Sequence, residues 1–63
     1  MLKIGDTIRI LEMKGDHNEA RYNGRIGTIY HIDRYGMCFG DWDGSFPLNP
    51  GIDRWEFISR ARR

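Results

Sequence analysis

The sequence predicts an all-β domain built as a small barrel of five short strands. Short segments in which apolar and β-branched residues alternate with polar ones are separated by glycine-containing turns, a spacing typical of such folds. An open sheet of this size would leave one face uncovered and its edges exposed to aggregation, whereas a closed barrel avoids both. We expect one domain over residues 1–59 and a basic tail over residues 60–63.

The first predicted strand begins near a bend at Gly5. Ile4, Ile8 and Ile10 share one parity, which predicts a half-buried strand with Ile8 and Ile10 in the core. Residues 13–23 then show no period of either kind and contain several turn residues, which predicts a long first loop. Loops of this length are uncommon in compact domains and often functional, so this one is either a binding element or a mobile connector.

The second strand is predicted over residues 25–33, with Ile29 as its core residue. Gly27 leaves no side chain at a point where a barrel strand must bend or be crossed closely. A turn at Tyr35-Gly36 follows. The second strand therefore ends in a short connection to the third.

Residues 37–42 form the third predicted strand. Cys38, Gly40 and Trp42 lie on one face of it, so we expect Trp42 in the core and Cys38 as a small buried apolar residue. The pair Asp43-Gly44 tolerates the positive φ angles of a two-residue hairpin turn. The pair therefore predicts a tight connection to the next strand.

Two further strands complete the predicted barrel. Residues 45–48 form the fourth, with Leu48 in the core, and Pro47 places this strand at an edge or bulge because proline donates no ladder hydrogen bond. A Pro-Gly corner leads to the fifth strand over residues 55–59, and we expect the tail after it to fray.

The composition of the sequence argues against several classes of function. The formal net charge of +1 argues neither for nor against nucleic acid. The single cysteine cannot form an internal disulfide, and no Cys/His spacing matches a zinc site, so we expect no metal and no cofactor. No apolar run approaches the length of a membrane span and no signal-peptide core opens the sequence. With a lone thiol, these features favour a cytoplasmic protein without a membrane partner.

Two groups of residues are candidates for catalysis or metal binding, and the sequence evidence for both is weak. Asp41 and Asp43 share a face and would offer two carboxylates to a cation or to acid–base work, but no third ligand accompanies them, which favours a turn residue beside a solvated one. His17, His31 and Cys38 lack an orienting acid and a matched nucleophile in the pattern. We therefore expect no catalytic residues and no enzyme activity.

The strongest candidate for function is a surface of aromatic and basic residues. The aromatic residues exceed what one small core can use, so some must be exposed, and exposed rings beside arginines suit stacked bases or a bound peptide. A self-association patch explains the same residues equally well. The candidate binding residues are Arg21, Tyr22, Arg25, Tyr30, Arg34 and Tyr35, with Phe39 and Trp55 as further candidate rings and Arg60, Arg62 and Arg63 in the tail.

Five motifs follow one another along the sequence. They are Gly5-Asp6-Thr7-Ile8-Arg9-Ile10, Gly24-x-x-Gly27-x-Ile29-x-x-Ile32-Asp33, Gly36 with Trp42-Asp43-Gly44, Leu48-x-Pro50-Gly51-Ile52-Asp53, and Glu56-Phe57-Ile58. In their order and spacing they resemble the small bacterial and phage family filed as domain of unknown function 4314. The glycine-containing strand element also resembles the KOW-type and SH3-like barrels of ribosomal and transcription proteins. The resemblance implies an SH3-like fold and a mobile-element origin, and no catalytic residues.

Three functional hypotheses follow, all of them binding without catalysis. The first is a protein-interaction module of a phage or mobile element, acting as an adaptor or inhibitor of a host protein through the long loop and neighbouring aromatics. The second is a nucleic-acid-binding barrel that uses the arginines. The third is capture of a small nucleotide in a groove between subunits. Salt dependence separates the first two, because phosphate binding weakens steeply with salt.

Overall fold

The computed structural model describes residues 2–14, 20–42 and 46–61 and has an all-β architecture, as the sequence predicted. The elements are β1 (Thr7–Glu12), a 3-10 helix (Ala20–Tyr22), β2 (Ile26–Ile32), β3 (Cys38–Gly40) and β4 (Arg54–Ser59). The four strands form one antiparallel sheet in the order β3-β2-β1-β4. None of the helical segments in the described part of the chain is long and apolar enough to cross a bilayer.

The fourth of the five predicted strands is reduced to a single bridge. Leu48 pairs with Cys38, whose backbone N–H donates to the Leu48 carbonyl at 2.8 Å and whose carbonyl accepts from the Leu48 N–H at 2.7 Å. Pro47, beside it, has no N–H with which to extend the ladder. The prediction of five strands is therefore not confirmed, and no ladder joins β3 to β4 within the described ranges. Asp43-Gly44 and Ser45 lie outside them.

The predicted core is confirmed. Six residues expected to be buried are at most 1% exposed, and three more complete a single apolar cluster. Ile4 does not share their burial: it lies in the turn before β1 and is 58% exposed. The strand's alternation therefore begins after Ile4. The confirmed residues are Ile8, Ile10, Ile29, Cys38, Trp42 and Leu48, and the additional ones are Leu2, Met13 and Tyr22.

The Trp42 ring packs over β2 and β3 at positions where both strands carry glycine. A Cβ atom on Gly27 would sit 2.7 Å from Cε3 of the indole, and one on Gly40 would lie within 2.8 Å of three of its ring atoms. Such separations are too short for carbon atoms, so only glycine admits the ring at both positions. The indole N–H donates to the Phe46 carbonyl at 3.1 Å, which satisfies its one polar atom. The group that approaches Gly27 closely, as predicted, is therefore the indole ring of Trp42.

Three bulges interrupt the alternation of the strands. In β4 the register with β1 shifts at Ile58, in β1 it shifts at Leu11, and in β2 the register with β3 shifts at Tyr30. Each bulge adds one residue to a strand, bends it and increases its twist. As a result Tyr30 and His31 are both exposed, although strict alternation would bury one of them.

Two buried aspartates tie the ends of the chain and the final turn to the sheet. Asp6 accepts the Lys3 N–H at 2.8 Å and the Ala61 N–H at 2.6 Å. Asp53 accepts the Lys14 N–H at 2.6 Å and the Asn49 N–H at 2.9 Å. Each carboxylate satisfies backbone donors that no strand pairs, which makes these acidic residues structural elements.

Candidate functional site

The described surface contains an apolar groove of about 590 Å³. Its walls come from the end of β2, from β3 and β4, and from the turn that leads into β4. Because β3 and β4 are the two edges of the sheet, a groove lined by both requires the sheet to curl. The lining includes Leu2, Ile32, Cys38, Pro50, Gly51 and Trp55.

The groove is held in shape by hydrogen bonds behind its walls. The Trp55 indole N–H donates to the Pro50 carbonyl at 3.2 Å, which fixes the ring against the turn. Asn49 accepts the Gly51 N–H at 3.1 Å through its side-chain oxygen, and Asp53 holds the start of the same turn. With its polar atoms paired in this way, the turn presents mostly carbon to the groove.

Cys38 is the one nucleophilic side chain in the groove lining. It is 1% exposed, and its thiol lies 3.6 Å from the Gly36 carbonyl oxygen as a weak donor. Burial, and next the negative charge of Asp33, raise the pKa of the thiol above its ordinary value. A protonated, buried thiol is a poor nucleophile, so Cys38 serves as groove wall.

Two residues next in sequence to groove-lining glycines have exposed side chains. Tyr35 is 79% exposed and precedes Gly36, and Ile52 is 54% exposed and follows Gly51. The Arg34 guanidinium carbon lies 5.5 Å from the centre of the Tyr35 ring, within the range of a cation–π contact. The groove lining itself is apolar, and the chain next to Gly36 carries this aromatic residue and cation.

Of the candidate binding rings, Tyr30 and Tyr35 are exposed, at 63% and 79%, whereas the expectation that Tyr22 is exposed is wrong. Tyr22 is 2% exposed because the 3-10 helix turns its ring into the core, where it meets Phe46 edge-on at 6.0 Å. A short helix inside an aperiodic segment gives no sequence pattern that would mark this residue as buried.

The predicted arginines do not form one patch. Arg21 and Arg25 lie before β2, and the Arg25 side chain donates to the Arg21 carbonyl at 3.3 Å. Arg34 lies beyond the other end of that seven-residue strand, roughly 20 Å away at the ordinary rise of a strand. Arg21 and Arg25 thus lie at one end of β2, and Arg34 lies at the other.

A second aromatic group lies on the outer face of β2 and β3. The bulge at Tyr30 turns His31 outward, where its ring centre lies 5.6 Å from that of Phe39. Sequence alternation missed this pair because a bulge leaves no mark in the apolar pattern. Phe39 and Trp55, the remaining candidate rings, are both half-buried.

The carboxylates considered for a cation are not grouped in the described residues. Asp41 accepts the Thr28 N–H at 2.6 Å and thereby joins β2 to the segment after β3. Its proposed companion Asp43 lies outside the described residues, as does His17. Residues 2–14, 20–42 and 46–61 contain no group of three or more potential ligands that could hold a metal ion.

The start of the predicted tail is packed against the domain. The Arg60 guanidinium carbon lies 4.2 Å from the centre of the Phe57 ring, and Ala61 is tied to Asp6. The expectation of fraying is therefore wrong for these two residues, because a carboxylate at the start of β1 captures the tail's backbone. Arg62 and Arg63 lie outside the described ranges.

Comparison of the chain with protein-family models, with curated proteins and with solved structures gives no match.

Proposed function

We propose that the protein is a non-catalytic binding module whose groove receives an extended apolar segment of a protein partner. The observation that carries the proposal is the groove itself, about 590 Å³ in volume, with a carbon-rich lining and a protonated thiol in its wall. A volume of this size accommodates more than one side chain. A lining without charged side chains favours apolar contacts over chemistry.

The surroundings of the groove favour a peptide over a nucleotide. A nucleotide carries phosphates, which are usually held by several cations or backbone N–H groups. None of the described residues that line the groove is charged, and the guanidinium of Arg34, two residues before the lining residue Gly36, lies over Tyr35. An apolar segment with one acidic residue fits this arrangement, because the segment fills the groove and its carboxylate meets Arg34.

We infer further that the curled sheet is a partly open SH3-like barrel. Three bulges support this, since bulges supply the curvature that brings sheet edges together. The groove lined by both edge strands supports it as well. With the resemblance to the phage and bacterial family, the proposal extends to an adaptor or inhibitor that acts on a host protein inside the cell.

Selection of linear peptides tests the groove. A displayed library of random peptides is selected on the wild-type protein and compared on Gly51→Trp. A Cβ on Gly51 would contact only an Asn49 side-chain oxygen, at 3.6 Å, and its backbone φ lies outside the left-handed region, so a side chain there should fill the groove mouth without unfolding the chain.

Selected peptides are expected to be rich in apolar residues and to bind Gly51→Trp at least about tenfold more weakly. Ile26→Trp is the matched control, because Ile26 is 48% exposed and does not line the groove, and it should bind like the wild type. Peptides that bind both variants as tightly as the wild type would place the partner site elsewhere.

Nucleic acid is the second candidate, supported by the exposed rings of Tyr30 and His31 and the half-buried ring of Phe39 on the neighbouring strand. Aromatic side chains on a sheet face stack bases without sequence preference. This reading requires binding that weakens steeply as salt rises and is lost in Tyr30→Ala, with Gly51→Trp leaving it intact.

A further inference from the structure

The outer edge of β4 is a second surface that can bind a partner. This six-residue strand ends the sheet, and within the described residues it pairs only with β1. Among the described residues, no backbone–backbone hydrogen bond outside this ladder reaches residues 54–59. Edge strands expose a row of N–H and C=O groups and are commonly protected by proline, charged side chains or bulges. β4 contains no proline and has a bulge at Ile58, so the part of its edge before the bulge, with Arg54 and Glu56, is left to pair.

We propose that β4 pairs antiparallel with β4 of a second copy of this chain, with Trp55 opposite Trp55 of the partner subunit. A two-fold axis perpendicular to the sheet keeps each face on its own side. The axis must therefore pass between one residue and the same residue of the second copy. The residue before it in each strand then pairs with the residue after it in the other strand. Only a few such registers are available to a strand this short.

Charge selects among these registers. With the axis at Trp55, Arg54 lies opposite Glu56 of the partner subunit, and the same pair forms again on the other side of the axis. An axis at Arg54 or at Glu56 instead places two like charges directly opposite each other, which is destabilising. The Trp55 register is thus the one in which the charges of β4 complement themselves.

The bulge in β4 removes the remaining registers. Ile58 is the extra residue between the pairs Thr7–Ser59 and Ile8–Phe57. An axis at Phe57, at Ile58 or at Ser59 would run the new ladder through this bulged residue, where the pleat is broken. The segment from Arg54 to Phe57 has no extra residue, and the Trp55 register pairs Arg54, Trp55 and Glu56 within it.

The two charged residues already lie on the exposed face in ion pairs within the chain. Arg9 donates to Glu56 at 2.6 Å, and the Arg54 guanidinium lies 3.7 Å from Glu12. A carboxylate has several acceptor sites and can receive a second arginine. Pairing of two copies therefore extends these contacts into a row of alternating charges without breaking them.

Charge exchange tests the register in the full chain by sedimentation equilibrium. Wild-type protein is expected to dimerise at high concentration, because a single strand pair buries less than a standard interface. Arg54→Glu and Glu56→Arg should each weaken dimerisation about tenfold or more, since each creates two like-charge pairs across the axis. The double variant Arg54→Glu/Glu56→Arg should restore it.

Arg9→Gln is the control, because it removes the ion pair of Glu56 within the chain and leaves the edge unchanged. It should dimerise like the wild type. Hydrogen exchange of the wild type needs no variant: amides of β4 should become more protected as the protein concentration rises. A wild type that stays monomeric, single variants that dimerise normally, or β4 amides indifferent to concentration would each overturn the proposal.

Discussion

Tyr22 was expected on the binding surface, but its ring lies in the core. It is 2% exposed and contacts Phe46 edge-on, so Tyr22→Ala should lower the free energy of unfolding by about 3–5 kcal/mol, as for other large aromatic truncations. Tyr22→Phe should cost much less, because it keeps the ring. Urea denaturation followed by tryptophan fluorescence measures both. A Tyr22→Ala variant of wild-type stability would contradict the buried position.

Asp6 makes stability depend on pH. Its pKa is lowered, first by the hydrogen bond from the Ala61 backbone, although burial opposes the shift. A folded-state pKa below the unfolded value of about 3.9 gives a stabilisation that is complete above the unfolded value. The stabilisation is lost as the pH falls through the lowered native value.

Asp6→Asn should therefore be less stable than the wild type near neutral pH, with a difference that shrinks as the solution is acidified. Thermal denaturation between about pH 2 and pH 7 measures this difference across the titration of the carboxyl group. Equal differences at the two ends of that range would show that the charge of Asp6 contributes nothing.

Among the elements, the turn from β2 to β3 depends on one carboxylate. Asp33 accepts the Tyr35 N–H at 2.8 Å and the Met37 N–H at 3.0 Å through a single oxygen. Asp33→Ala should lower the free energy of unfolding by about 1–2 kcal/mol, because two backbone donors lose their acceptor. Asp33→Asn keeps an acceptor oxygen and should cost less.

Chemical denaturation of the two Asp33 variants measures the stability of this turn. The order of stability should be wild type, then Asp33→Asn, then Asp33→Ala. If the alanine variant were as stable as the asparagine variant, water would be replacing the carboxylate and the turn would not depend on it.

For the whole molecule, the distribution of charge predicts weak binding of oligonucleotides. The net charge is +1, and Arg21 and Arg25 lie at the far end of β2 from Arg34. Phosphate affinity grows with the number of cations that contact one backbone. Fluorescence anisotropy of single-stranded DNA and RNA should therefore show little binding at about 0.15 M salt. Tight, salt-sensitive binding that is lost in an Arg21→Ala/Arg25→Ala/Arg34→Ala variant would make nucleic acid the preferred partner.

The sequence by itself determined the all-β class and most of the core. Alternation in β1 and β2 identified Ile8, Ile10 and Ile29, because a strand with one buried face must repeat every second residue. Gly27 was identified as a close crossing for the same local reason, since the absence of a side chain is visible in the sequence. The number of rings relative to the size of the core predicted that some aromatic side chains are exposed, and the structure identifies Tyr30 and Tyr35 among them.

Only the tertiary structure decided the features that depend on residues far apart in the chain. Bulges at Tyr30 and Ile58 arise from the fit of one strand to its neighbour and leave no apolar signature. The burial of Tyr22 depends on Phe46, which is distant in sequence. The groove forms where both edges of the curled sheet and the turn at Pro50 come together. The apolar pattern of one sequence segment carries no information about which distant segments come together.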